Sequence, residues 1–285
     1  MGKLIEKLHT VTQASNSGMG FFGRPRGPER AARPAGVLVS AGSDDKALLT
    51  AAAQSGADGV IVTGWRLGAP DLSAVASALA PHEAVLGVQI ESDYEAGALK
   101  AAQQQGASFA ILDHGVAARA LFEELEKFDL VATVVPPSDD LALLLLRAVN
   151  TLPVQAALVV AGFTPTGLAK LTIADFTRLR LLWESLRFPS LVTLQGPPDA
   201  ADLRTLVQLG ADGVVLPAAG STVAAIGQQV KSLIGQLEQT PARRGESEGG
   251  GLLSGLLSAS SQAPGAPAPG PGRKPDQPEP EPEEE

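Results

Sequence analysis

Between Gly36 and Ala219 short apolar runs alternate with longer stretches rich in Ala and Leu. The runs are Gly36–Ser40, Gly59–Thr63, Val85–Ile90, Phe109–Asp113, Leu130–Val135, Ala156–Ala161, Leu191–Gln195 and Gly213–Pro217. They are nearly continuous in apolar residues, the pattern of parallel strands covered on both faces. The stretches between them are good helix formers. Several follow an Asp or Ser able to cap a first turn: Ser43-Asp44-Asp45, Asp71, Ser138-Asp139-Asp140 and Asp199. Strand and helix repeated in this way predict a closed (β/α)8 barrel over residues 35–240.

The pentapeptide Gly56-Ala57-Asp58-Gly59-Val60 recurs as Gly210-Ala211-Asp212-Gly213-Val214, and Gly106-Ala107-Ser108-Phe109-Ala110 is a looser copy. Each lies where a helix ends and a strand begins, so the leading Gly is expected in the left-handed conformation. This turn resembles the one before strands in phosphate-binding and flavin-binding TIM barrels, such as the thiamine-phosphate synthase, tryptophan synthase α and nitronate monooxygenase families. The resemblance covers strands 2 and 8. Such turns belong to the bottom, stability face, so it supports a TIM-barrel fold more than any reaction.

At the N-terminus, Leu4, Ile5, Leu8 and Val11 share one helical face among charged neighbours. A short amphipathic helix plugging the barrel bottom is expected, in preference to a membrane anchor assisted by Phe21, Phe22, Arg24 and Arg26. Residues 1–34 thus read as helix and linker, and residues 241–285 as a disordered Gly/Pro/Glu-rich tail. Within that tail, Leu252-Leu253 and Leu256-Leu257 form an apolar island suited either to docking a protein partner or to folding back.

The chain is 44% hydrophobic but only 4% aromatic, so the core is expected to be aliphatic. The absence of Cys excludes disulfides and thiolate chemistry. A net charge of −9 argues against nucleic-acid binding. Neither a membrane-length apolar run nor a signal-peptide core is visible, so a soluble, cytoplasmic protein without stable membrane insertion is expected. The stretches holding Leu141 and Leu143–Leu146, and Leu171, Ile173, Phe176, Leu179, Leu181, Leu182 and Trp183, exceed one buried stripe each and predict a homo-oligomer.

Chemistry in this architecture belongs to the C-terminal strand ends. Strands 5, 6 and 8 close with Pro136-Pro137, Gly162-Phe163-Thr164 and Pro217, which bring no ionisable group, and no strand ends in Lys for a Schiff base. Strand 4 ends in Asp113-His114, of which at most one faces the axis. Asp113 is the candidate general base, His114 a loop-borne acid or donor, and Glu91 a neighbour within reach. The competing reading has Asp113 cap the next turn and leaves His114 in solvent. These three residues are also the one candidate metal set, but their spacing matches no metal motif and no metal is expected.

Gly220-Ser221-Thr222 opens the last helix, where the resemblance implies a phosphate held by backbone N–H groups. Gln195-Gly196 would supply the other half, although Gly196-Pro197-Pro198 departs from the paired glycines of such barrels and loses donors. Ser221 has the alternative role of helix N-cap. Trp65-Arg66 suits clamping a planar anionic ligand, FMN being the flavin candidate, against an ordinary packed Trp and solvated Arg.

Two functions are consistent with these features. One is a barrel binding a small phosphorylated or flavin-like ligand, as a lyase, isomerase or oxidoreductase. The other is a catalytically silent scaffold acting through its termini.

Overall fold

The computed structural model describes residues 2–13, 33–68, 72–136, 148–163 and 165–241, with backbone alone at 161–163 and 165–166. Asp71, Ser138–Asp140, Leu141–Leu146, the linker with Phe21, Phe22, Arg24 and Arg26, and the tail with Leu252–Leu257 lie outside the described residues.

Eight parallel strands follow one another around a closed TIM barrel: β1 (Gly36–Gly42), β2 (Gly59–Thr63), β3 (Val85–Ile90), β4 (Phe109–Leu112), β5 (Asp129–Val134), β6 (Ala156–Phe163), β7 (Ser190–Leu194) and β8 (Gly213–Pro217). The last strand pairs with the first from Gly36 and Gly213 to Ser40 and Pro217. The described helices are α1 (Lys3–Gln13), α2 (Lys46–Gln54), α3 (Leu72–Leu79), α4 (Ala98–Gln104), α5 (Pro165–Leu168), α6 (Ile173–Ser185), α7 (Ala200–Leu209) and α8 (Val223–Glu238).

The expected alternation fails between β4 and β5, where the chain makes only a short 3-10 helix, Ala118–Phe122. Glu123 turns extended immediately after it. Its carboxylate accepts the Tyr94 hydroxyl and, at 3.0 Å, the Gly97 amide, both in the neighbouring loop. These tertiary contacts override a good local helix propensity.

Side chains alternate along each strand, so two cores form. Val37, Val39, Val60, Val62, Val88 and Leu112 face the helices, whereas Leu38, Ile61, Val85, Phe109, Ile111, Val131, Leu158, Leu191 and Val215 fill the barrel. Leu4, Ile5 and Leu8 of α1 belong to that inner cluster, which establishes the helix as a bottom plug. The Asp129 carboxylate, at the foot of β5, accepts the amides of Gly2, Leu4 and Ile5 at 3.1, 3.0 and 3.2 Å. It thereby satisfies three backbone donors at the helix start and complements the positive end of its dipole. Burial nevertheless pushes the Asp129 carboxyl above its ordinary range.

The repeated pentapeptides do corresponding work. Gly56, Gly106 and Gly210 have φ of +98°, +100° and +130°, as the turn requires. Asp58 accepts the Val37 amide of β1 at 2.8 Å, and Asp212 accepts the Ser190 amide of β7 at 2.8 Å. Gln155 does the same before β6, accepting the Leu130 amide at 2.8 Å. Ahead of β2, β6 and β8, a polar side chain thus secures the start of the odd-numbered strand before it. Asp58 also holds the buried Arg33 guanidinium at 2.8 Å, and the Arg33 amide donates to the Val11 carbonyl at 3.3 Å. This joins the end of α1 to the entrance of β1.

Two glycines at the strand feet make room for this packing. A Cβ at Gly59 would lie 2.8 Å from Val85 Cγ2, and one at Gly213 would lie 2.6 Å from Leu191 Cδ2.

Candidate functional site

The inward alternation that buries Leu38, Ile61, Ile111, Val131 and Leu191 brings Ser40, Thr63, Asp113, Thr133 and Thr193 to the inner wall two residues later, at the C-terminal mouth. Gln89 of β3 joins them by the same step of two from Gly87. All six are partly exposed, unlike the dry layer beneath. Val160 and Pro217 complete the wall on β6 and β8 with apolar groups.

Asp113 is the one carboxylate among these wall residues. Its Oδ1 accepts the Thr133 hydroxyl at 3.2 Å, and Gln89 Nε2 approaches both carboxylate oxygens at 3.4 Å. Donors on both neighbouring strands therefore hold it toward the axis, so it is not spent on capping the following turn. Among the described residues no Lys, Arg or His side chain is within ion-pair distance of it. Such a group can accept a proton or a hydrogen bond from a ligand at the mouth.

The structure does not bring the other sequence candidates to this carboxylate. His114 and Glu91 are exposed on their loops, and neither hydrogen-bonds to Asp113. Among the described residues no three carboxylate or imidazole groups gather closely enough to hold a metal ion. Arg66 is committed to Asp93 at 2.9 Å, with both side chains well exposed. Trp65 is buried among the residues between strands and helices, so its ring is not on the rim. Its Nε1 has no partner among the described residues.

The two loops expected to flank a phosphate differ sharply. After β7, Gln195 is exposed and Gly196 has φ +146°, but the start of α7 is already occupied. Asp199 Oδ1 accepts the amides of Ala201 and Asp202, both at 2.8 Å, while Asp202 returns a bond from the Asp199 amide at 3.2 Å. Two carboxylates at that helix end exclude a further anion by charge and by lack of donors. After β8, Gly220 has φ +75° and the Ser221 amide closes a turn on the Ala218 carbonyl at 3.0 Å. Thr222, rather than Ser221, caps α8 by accepting the Ala225 amide at 3.2 Å. The first turn of α8 carries no acidic residue and Val223 is exposed, so no carboxylate of that turn competes for the amides of Val223 and Ala224.

Apart from the mouth, the loop after β3 carries a second polar group. Tyr94 is buried, donates to Glu123, and lies under Arg119, whose guanidinium carbon is 5.7 Å from the ring centroid. Burial first, then the Glu123 hydrogen bond and charge, push its phenol up to about 12.

The sequence signal for the wall was the polar residue closing three of the apolar runs. Ser40, Thr63 and Asp113 end their runs, whereas Gln89, Thr133 and Thr193 lie one or two residues inside theirs.

No family model matches the chain, and no curated protein matches it. Solved structures do. A tryptophan synthase from M. tuberculosis in its aminoacrylate-bound form aligns with TM-score 0.60 and 15% identity over 83% of this chain and 100% of that one. An open form of tryptophan synthase from M. tuberculosis with a bound compound gives 0.57 and 16%, over 73% and 95%. A thiamine phosphate pyrophosphorylase from Pyrococcus furiosus gives 0.54 and 14%, over 73% and 97%. At these identities the likeness is one of fold.

Proposed function

We propose that this barrel binds a small phosphorylated ligand across its C-terminal mouth and moves a proton on it, as a lyase or isomerase, with Asp113 as the base. The observation that carries this reading is Asp113 itself: a carboxylate at the axis, held by Gln89 and Thr133 and left without a described cation. The phosphate would sit at the start of α8, against the amides that follow Thr222, with Gly220 and Ser221 shaping the approach. Arg66 would add charge from the rim. Its exposed pairing with Asp93 is weak enough to be exchanged. An FMN would place its phosphate at the same helix start, but the buried Trp65 supplies no stacking face for its ring. The names of two matched structures, a thiamine phosphate pyrophosphorylase and a tryptophan synthase, support a small-molecule enzyme in general terms.

A silent scaffold is the second reading, and one observation favours it. The Asp199 and Asp202 carboxylates fill the position that would complete a phosphate cradle beside β7. The exposed Ile173 and Leu181 on α6 support association of copies under either reading.

Thermal unfolding with inorganic phosphate, FMN and sugar phosphates separates the two. A ligand confined to the native state adds RT ln(1 + [L]/Kd), about 2.7 kcal/mol at a hundredfold excess over Kd. Ser221→Glu should remove the shift without changing unliganded melting. No shift with any of these compounds at millimolar concentration leaves the scaffold reading.

A further inference from the structure

We infer that the mouth of the barrel seats the primary ammonium of a small amino alcohol, with Asp113 as its counter-ion and the surrounding hydroxyls receiving the ligand's own. This rests on the reading of the mouth as a ligand site and names the chemistry of the ligand.

The argument begins with unmet capacity. An ionised carboxylate offers about four acceptor positions. Asp113 uses them only for Thr133 at 3.2 Å and for Gln89 at a long 3.4 Å. Both partners are neutral, so its charge is uncompensated among the described residues. Ser40, Thr63 and Thr193 add hydroxyls to the same wall, and a hydroxyl can donate or accept but cannot neutralise a carboxylate.

Charge around the mouth points the same way. Asp44 and Asp45 follow β1, and Glu91 and Asp93 follow β3. The cations beside them are Lys46, Arg66 and Arg119; Arg66 is matched to Asp93 and Arg119 lies over Tyr94. A cleft lined mainly by one sign concentrates the opposite ion. A compact ammonium has three donors, which suits the open Asp113 oxygens, and neighbouring hydroxyls on the ligand would meet Thr63, Thr133 and Thr193. A polyanion lacking the amine would gain only at the start of α8, on the far side of the ring from β4.

The test uses the full chain and two matched pairs: glucosamine against glucose, and glucosamine 6-phosphate against glucose 6-phosphate. Isothermal calorimetry and thermal unfolding should show each amino sugar binding about tenfold or more tighter than its neutral parent. Asp113→Asn, which keeps shape and removes charge, should erase that preference and leave unliganded melting unchanged. If Asp113→Asn does not fold, the parent protein answers instead: the preference should vanish as pH rises and the sugar amine loses its proton.

Equal binding of amine and parent, no binding of either amine, or a preference that survives Asp113→Asn overturns the ammonium seat. Sugar phosphates that bind without amine preference would do so while leaving the phosphate reading intact. Amino sugars that bind equally well with and without phosphate would support the seat and sink the phosphate site.

Discussion

The carboxylate of Asp129, at the foot of β5, accepts the backbone amide of Leu4 at 3.0 Å, so a strand residue in the middle of the chain caps the helix at its beginning. The bottom of the barrel is closed by this bond and by the apolar side chains of Leu4, Ile5 and Leu8. Replacing Asp129 with Ala leaves three amide donors at a buried helix start without their acceptor. A loss of about 1–3 kcal/mol is expected, measured by denaturant unfolding. A stability equal to the parent would mean that α1 does not seat through this bond.

Among the described residues are two Arg–Asp pairs of nearly equal length and opposite surroundings. Arg33 meets Asp58 at 2.8 Å with side-chain exposures of 3% and 2%, and Arg66 meets Asp93 at 2.9 Å with 67% and 45%. Arg33→Ala strands a buried carboxylate and should cost about 3–5 kcal/mol, whereas Arg66→Ala should cost under about 1 kcal/mol. Parallel chemical denaturation of the two variants reads the contrast directly. Similar losses from both would contradict the burial assigned to Arg33.

At the strand feet, Gly59→Val and Gly213→Val drive a side chain into Val85 and Leu191 respectively. Each should destabilise by about 1–3 kcal/mol through overpacking. Unchanged melting of both would show that the repeated turns do not abut the inner core.

Tyr94 is the only tyrosine in the chain, so near-ultraviolet phenolate absorbance titrates it without assignment. In the folded protein it should ionise near 12 rather than at the ordinary 10.0. A phenol raised on folding contributes stability that is complete below about 10 and is lost as pH rises through its folded value. Stability should therefore decline across that alkaline window, and Tyr94→Phe should flatten the decline. Glu123→Gln should lower the midpoint only partway, since burial is the larger cause.

Much of the barrel was legible because its strands need apolar residues on both faces, and all eight strands lie within one residue of their apolar runs at the start and two at the end. The missing helix between β4 and β5 was not, because Ala118–Phe122 has ordinary helix-forming residues. What decides it is the tie from Glu123 to Tyr94 and Gly97. At the mouth, Asp113 was recoverable from its place at the end of a run. Its partner Thr133 was not, since it sits inside a run whose inward face shows only once the register is known. Trp65 and Arg66, adjacent in sequence, part company in space: one enters the helix-facing core and the other reaches solvent.

The backbone bond from the Arg33 amide to the Val11 carbonyl has a topological consequence. Val11 and Arg33 thus meet on the folded body, and α1 is seated there by its own contacts with Asp129 and the inner cluster. The plug is accordingly a cartridge: a free peptide spanning α1, titrated against a barrel that begins at Arg33, should still find its empty end and raise its melting temperature.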